Sequence, residues 1–194
     1  MPRRFACGRL PLRTLSCALV GFAVACGSGE DSARDQRVAD TPALDACAVL
    51  REVDLASLLG APPDTLLTII SSASGDMAVS QCFASIETQP QTLGLMVRYS
   101  ARGGNPTTRQ EWIEREAGAD VMGMGEEAGA AIRAAEEVPG LGDLALAYEL
   151  IGPNLAVFWG NGRYQLVATS SDIANPQTAR QALEAVARRA LARY

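Results

Sequence analysis

The sequence predicts an α+β domain, an antiparallel sheet of five or six strands packed by helices and carrying one disulfide. Three observations predict it. Two groups of three short β-prone stretches are punctuated by turn residues. Asn161-Gly162, inside Gly160-Asn161-Gly162, separates Leu155–Trp159 from Arg163–Thr169, and Asn-Gly is the strongest short-range hairpin signal. After Asn175-Pro176, the residues Ala179, Leu183, Val186, Ala187, Ala190 and Leu191 recur at helical spacing and form one apolar stripe. A chain of 194 residues with 48% hydrophobic content supports one core and one domain.

The elements follow in order. The domain is expected over residues 44–194. Asp45 caps a helix that carries Ala48, Val49 and Leu50, continues through Val53, Leu55, Leu58 and Leu59, and stops at Gly60 before Pro62-Pro63. Thr65 to Ser72 reads as a strand, residues 71–77 as a turn around Gly75-Asp76, and Val79 to Thr88 as a second strand holding Cys82. Leu93 to Ala101 is the third, joined to the second by a hairpin across Gln89–Thr92. Asn105 is the natural N-cap and Pro106 the first residue of a helix to about Ala117. Ala128 to Glu137 reads as helix, although glycines at 118, 123, 125 and 129 weaken it. Strands at Leu144–Ile151, Leu155–Trp159 and Arg163–Thr169 precede the final helix.

The first 25 residues read as a secretory signal. Arg3, Arg4, Arg9 and Arg13 precede an apolar stretch from Leu15 to Ala25, which is too short to span a bilayer. The boundary Ala23-Val24-Ala25-Cys26 resembles the bacterial lipobox, in which the cysteine becomes the first mature residue and is acylated. Ordinary cleavage after Ala25 is the competing reading, because Ala23 and Ala25 also satisfy a small-residue site. With Cys26 lipidated, residues 26–43 form a polar tether. The partner membrane is then held through the acyl chains, and the domain is expected in the cell envelope, outside the cytoplasm.

Cys7 and Cys17 fall in the signal and Cys26 is taken by the acyl chain, which leaves Cys47 and Cys82 of the five cysteines. Outside the cytoplasm such a pair forms a disulfide; a two-thiolate metal site or a redox dithiol is the alternative.

Composition excludes much chemistry. The chain has no His and no Lys, and all 17 basic residues are Arg. Ser-His-Asp and Cys-His catalysis, imidazole metal sites, Schiff bases and the phosphate-binding P-loop are therefore absent. No cofactor is expected. Removing the first 25 residues takes away four Arg and no acid, leaving 13 Arg against 22 acids, a net charge of −9. Such a chain is not expected to bind nucleic acid. Glu111 to Glu149 holds ten acids and two Arg. A solvated acidic face accounts for them; a surface for a cation or basic partner is the alternative.

The remaining motifs point weakly to chemistry. Gly123-Met124-Gly125-Glu126-Glu127-Ala128 matches the loose dinucleotide pattern G-x-G-x-x-A, but a helix precedes it and two glutamates would repel a pyrophosphate. Asp120, Glu126, Glu127, Glu136, Glu137 and Asp143 could supply a carboxylate pair for glycoside hydrolysis, provided that two face each other across a cleft. Gly140-Leu141-Gly142-Asp143 reads as a tight turn into the strand at Leu144. Trp112 and Trp159 read as core or as pocket lining. Glu126, Glu127, Asp143, Trp112 and Trp159 form the candidate binding surface.

Asp45-Ala46-Cys47-Ala48-Val49-Leu50, Cys82-Phe83 and Gly140-Leu141-Gly142-Asp143 resemble the D-x-C-A-L-L, C-x-aromatic and G-x-G-D strings of a group of bacterial lipoproteins of unknown function. Val49 stands where that group has Leu. The resemblance spans about residues 44–190. It implies a disulfide-bearing domain outside the cytoplasm and brings no catalytic residues with it. The expected function is that of a membrane-anchored envelope lipoprotein whose domain binds an envelope protein or small ligand without catalysis. A carboxylate-dependent hydrolase of cell-wall glycan and a carrier of a small apolar ligand are the rivals.

Overall fold

The computed structural model describes residues 41–86, 91–117 and 125–194. The expected signal segment, Cys26 and the tether to residue 40 lie outside the described residues, as do the 87–90 connection and Gly118, Asp120 and Gly123. The fold is α+β with one open antiparallel sheet. Its seven strands exceed the five or six expected.

The N-terminal helix is two helices. In α1 (Ala46–Glu52), Asp45 accepts a hydrogen bond from the Ala48 amide at 2.9 Å. Val53 is extended, and the Asp54 carboxylate opens α2 (Leu55–Leu59) by accepting from the Ser57 amide at 3.1 Å. A second capping aspartate competes with helix continuation, so the chain breaks there. Gly60 closes α2 at φ 81°, as its position predicts.

Strands β1 (Thr65–Ser74) and β2 (Met77–Ile86) meet at a two-residue turn, Gly75-Asp76, with a bulge between Thr68 and Ile70. Strand β3 (Gln91–Ser100) pairs with β2 along its length. The next helix, α3, runs Arg109–Glu116, and its N-cap is Thr108, not Asn105. The Asn105 amide is engaged with the Gly162 carbonyl at 3.1 Å, which docks this loop on the 160–163 turn. Thr108 accepts from the Glu111 amide, while the Glu111 carboxylate accepts from the Thr107 amide at 2.8 Å. This is a capping box displaced by one residue. The Thr107 bonds hold the Glu111 carboxyl below its ordinary range.

Helix α4 spans Gly125–Arg133, and Glu136–Glu137 are not its continuation but the short strand β4. Arg109 donates to the carbonyls of Arg133 and Ala135, satisfying acceptors where α4 ends. β5 (Leu144–Glu149), β6 (Pro153–Trp159) and β7 (Tyr164–Ser171) then form a meander, and α5 (Pro176–Arg193) closes the chain with Asn175 as N-cap. Sheet order is β1-β2-β3-β7-β6-β5-β4.

The sheet has two cores. On its inner face, α1, α2 and α5 cover Ala78, Cys82, Leu93, Leu95, Val97, Leu155, Val157 and Leu166. The apolar stripe of α5 supplies Leu183, Val186, Ala187 and Ala190. The Cys47–Cys82 disulfide ties α1 to β2 inside this core. On the outer face, α3 and α4 cover only the β5–β6 half, through Trp112, Ile132, Leu144, Leu146, Ala156 and Phe158. Among the described residues no helix is long and apolar enough to cross a membrane.

Candidate functional site

A groove of about 750 Å³ wraps the β4–β5 edge of the sheet. Its origin is the shortness of β4, whose two residues pair only with Ala147 and Leu146. Beyond that pairing, Tyr148 and Glu149 continue β5 without a described neighbour on that side. The register assigns the walls. Glu136 is paired with Ala147, so Glu136, Ala147 and Glu149 share the inner face, toward α5. Tyr148 points to the outer face, where its ring meets Trp112 at 5.3 Å between centroids.

Ala131 of α4 and Ala134, just past its end, line one side; Pro176, Gln177, Arg180, Gln181 and Leu183 of α5 line the other. Asn154 closes the floor, its amide fixed by the carbonyls of Leu150 and Gly152 at 2.9 and 2.7 Å. Arg180 is oriented by Glu184 at 3.1 Å. Burial, with the charge of Glu116 as the smaller cause, pushes the Tyr148 phenol up to about 12. A phenol so shifted stays protonated at neutral pH; it is a donor, not a nucleophile. The groove therefore offers small apolar walls, two exposed carboxylates, an arginine and side-chain amides. These can orient a ligand, and no nucleophile–base pair stands among them.

The five residues singled out from the sequence do not line this groove. Glu126 and Glu127 are exposed in the first turn of α4, where negative charge suits the positive end of the helix dipole. Asp143 accepts from the Asn161 amide at 3.1 Å and holds the 160–163 turn. Gly142, at φ 63°, lies so close to the Phe158 carbonyl that a Cβ would sit 2.6 Å from it, so the Gly-Leu-Gly-Asp string builds a turn. Trp112 is buried in the outer core. Trp159 is buried on the opposite face and stacks on Tyr164 at 4.9 Å. Its Nε1 is buried without a hydrogen-bond partner among the described residues.

Glu136, Glu149 and Arg180 are the groove residues that sequence reasoning did not assemble. Glu136 and Glu149 are 13 positions apart, and only the β4–β5 pairing puts them on one face. Cys47 and Cys82 are bonded to each other, which disposes of the two-thiolate alternative, and among the described residues no group of three or more Cys, His, Asp or Glu is placed to hold a metal ion. No family model, curated protein or solved structure matches the chain.

Proposed function

We propose that the chain is an exported envelope lipoprotein, anchored through Cys26, whose domain binds a small ligand or an envelope component at the β4–β5 groove without catalysis. The basic, apolar and small-residue order of the first 26 residues supports the address. The observation that carries the binding reading is the exposure of Glu136 and Glu149 at an open sheet edge. General acid catalysis by a carboxyl group needs one member of a pair desolvated, and neither residue is buried.

One observation favours the hydrolase as second reading. Glu136 and Glu149 are diagonal neighbours on adjacent strands, a relation that sets their backbones about 7–8 Å apart, near enough for two glutamate side chains to bring their carboxyl groups to the spacing that paired glycosidase carboxylates need. Incubation with cell-wall glycan distinguishes the two. Binding without release of reducing ends, weakened by Arg180→Ala and Glu149→Gln, supports the binding domain. Turnover that disappears in Glu136→Gln would replace it with the enzyme. Loss of fatty-acid labelling in Cys26→Ser tests the anchor separately.

A further inference from the structure

The two edges of the sheet are built in opposite ways. At one end, β4 is two residues long and both are glutamates. Short, charged edge strands prevent a sheet from pairing with another chain. At the other end, β1 is ten residues long, and from Thr65 to Gly75 there is no charge and no proline. Nine of its ten residues are exposed, including Leu67 at 55%, Ile69 at 48% and Ile70 at 42%. The one device that blunts this edge is the bulge between Thr68 and Ile70. Its outward main-chain groups form the template that a further strand would fill.

We propose that this edge pairs with the same edge of a second copy, β1 antiparallel to β1, about a two-fold axis. Three features select a second copy. Antiparallel self-pairing matches strand length by construction and is the closed arrangement of an isologous dimer. A strand without charge meets no like charge in its own image, whereas the net-negative remainder of the chain repels its copies and confines contact to this strip. Chain from the same molecule is a poor competitor: residues 30–40, the stretch preceding Thr41 beside the Gly75 turn, hold six charges and few β-formers.

The area sets the strength. A standard interface uses about 20–30 residues per partner to bury about 800 Å², so a ten-residue strand buries about 300–400 Å² per copy. That places the pair among weak, concentration-dependent dimers.

Cross-linking of the full chain with Cys7, Cys17 and Cys26 replaced by serine, so that the introduced thiol is the one cysteine outside the Cys47–Cys82 bridge, tests the proposal. Full overlap of β1 with its copy puts Ile69 beside residues 69–71 of the other chain, within disulfide reach. With copper phenanthroline, Ile69→Cys should give a covalent dimer at least about tenfold faster than Arg188→Cys on the exposed side of α5. Adding Leu67→Lys to Ile69→Cys should suppress that dimer, since each copy then presents a lysine to the other. A cooperative urea transition by circular dichroism, with the midpoint of the unsubstituted chain, verifies that each variant is folded. A folded Ile69→Cys chain that labels with maleimide but stays monomeric overturns the proposal and leaves the edge to a strand from another protein. Equal cross-linking at positions 69 and 188, or a dimer indifferent to Leu67→Lys, overturns it as well.

Discussion

Replacing both bridging cysteines with alanine isolates what the disulfide contributes. Cys47 and Cys82 are 35 positions apart, and both sulfurs sit in the inner core, where the two residues are 2% and 0% exposed. In the chain-entropy treatment, opening a loop of that length removes about 4 kcal/mol of stability. For a chain of this size each kcal/mol moves the thermal midpoint by about 2–4 °C, so the double variant should melt about 8–16 °C below the oxidised protein. The strain on packing is small by comparison, because alanine keeps the site apolar and introduces no buried hydroxyl. Urea unfolding followed by circular dichroism, run on the variant and on the oxidised protein, measures the difference. A loss below about 1 kcal/mol would refute the loop-entropy argument and imply that the unfolded chain already holds α1 near β2.

Three further predictions rest on single contacts. Gly142→Ala should destabilise by about 2–4 kcal/mol in urea, since its Cβ would meet the Phe158 carbonyl at 2.6 Å on a backbone already at φ 63°. Glu52 is held below its ordinary carboxyl range mainly by its hydrogen bond to Arg189, aided by the charges of Arg189 and Arg193. A lowered folded value contributes stability above the unfolded value of 4.5 and loses it as pH falls through the folded one, so the urea midpoint of wild type should approach that of Glu52→Gln in acid. The Tyr148 phenol is raised by burial from 10.0 to about 12, so its contribution is intact below pH 10 and lost as pH rises toward 12. That loss amounts to about 2–3 kcal/mol, and Tyr148→Phe should remove it from the alkaline unfolding curve.

Local chemistry was readable where one residue type decides the conformation. Gly60 and the Asn161-Gly162 turn were found from their dihedral demands, and Asn175-Pro176 from its capping geometry. The stripe of α5 was readable because its period matches its burial. Errors arose where two local signals competed for one segment. Asp45 and Asp54 both cap, and the sequence pattern alone does not reveal that the helix stops between them. Asn105-Pro106 has the form of a helix start, but tertiary contact with Gly162 holds Asn105 in the loop and passes the cap to Thr108. Glu136-Glu137 extends a helical pattern and becomes strand because β5 offers a ladder. The groove was illegible for the same reason. Its carboxylates, arginine and amides come from β4, β5, β6 and α5, and no one of these segments by itself marks the groove.

The groove and the bare edge occupy opposite ends of one sheet, and this relation constrains how they would act together. Pairing through β1 would join two seven-stranded sheets into fourteen strands, ordered with β4 at both extremes. At about 4.8 Å per strand the two grooves would then lie about 50–60 Å apart. Neither would be occluded, because the interface uses the edge farthest from each of them. Two weak sites at fixed separation bind an extended or repeating target more tightly than either alone, provided that the target spans the gap. A compact ligand gains nothing from such pairing. Weakening of binding by Leu67→Lys for a polymeric target but not for its monomeric fragment would therefore connect the two ends of the sheet. Equal loss for both would mean that the substitution disturbs the groove itself, and equal retention would mean that the grooves act singly.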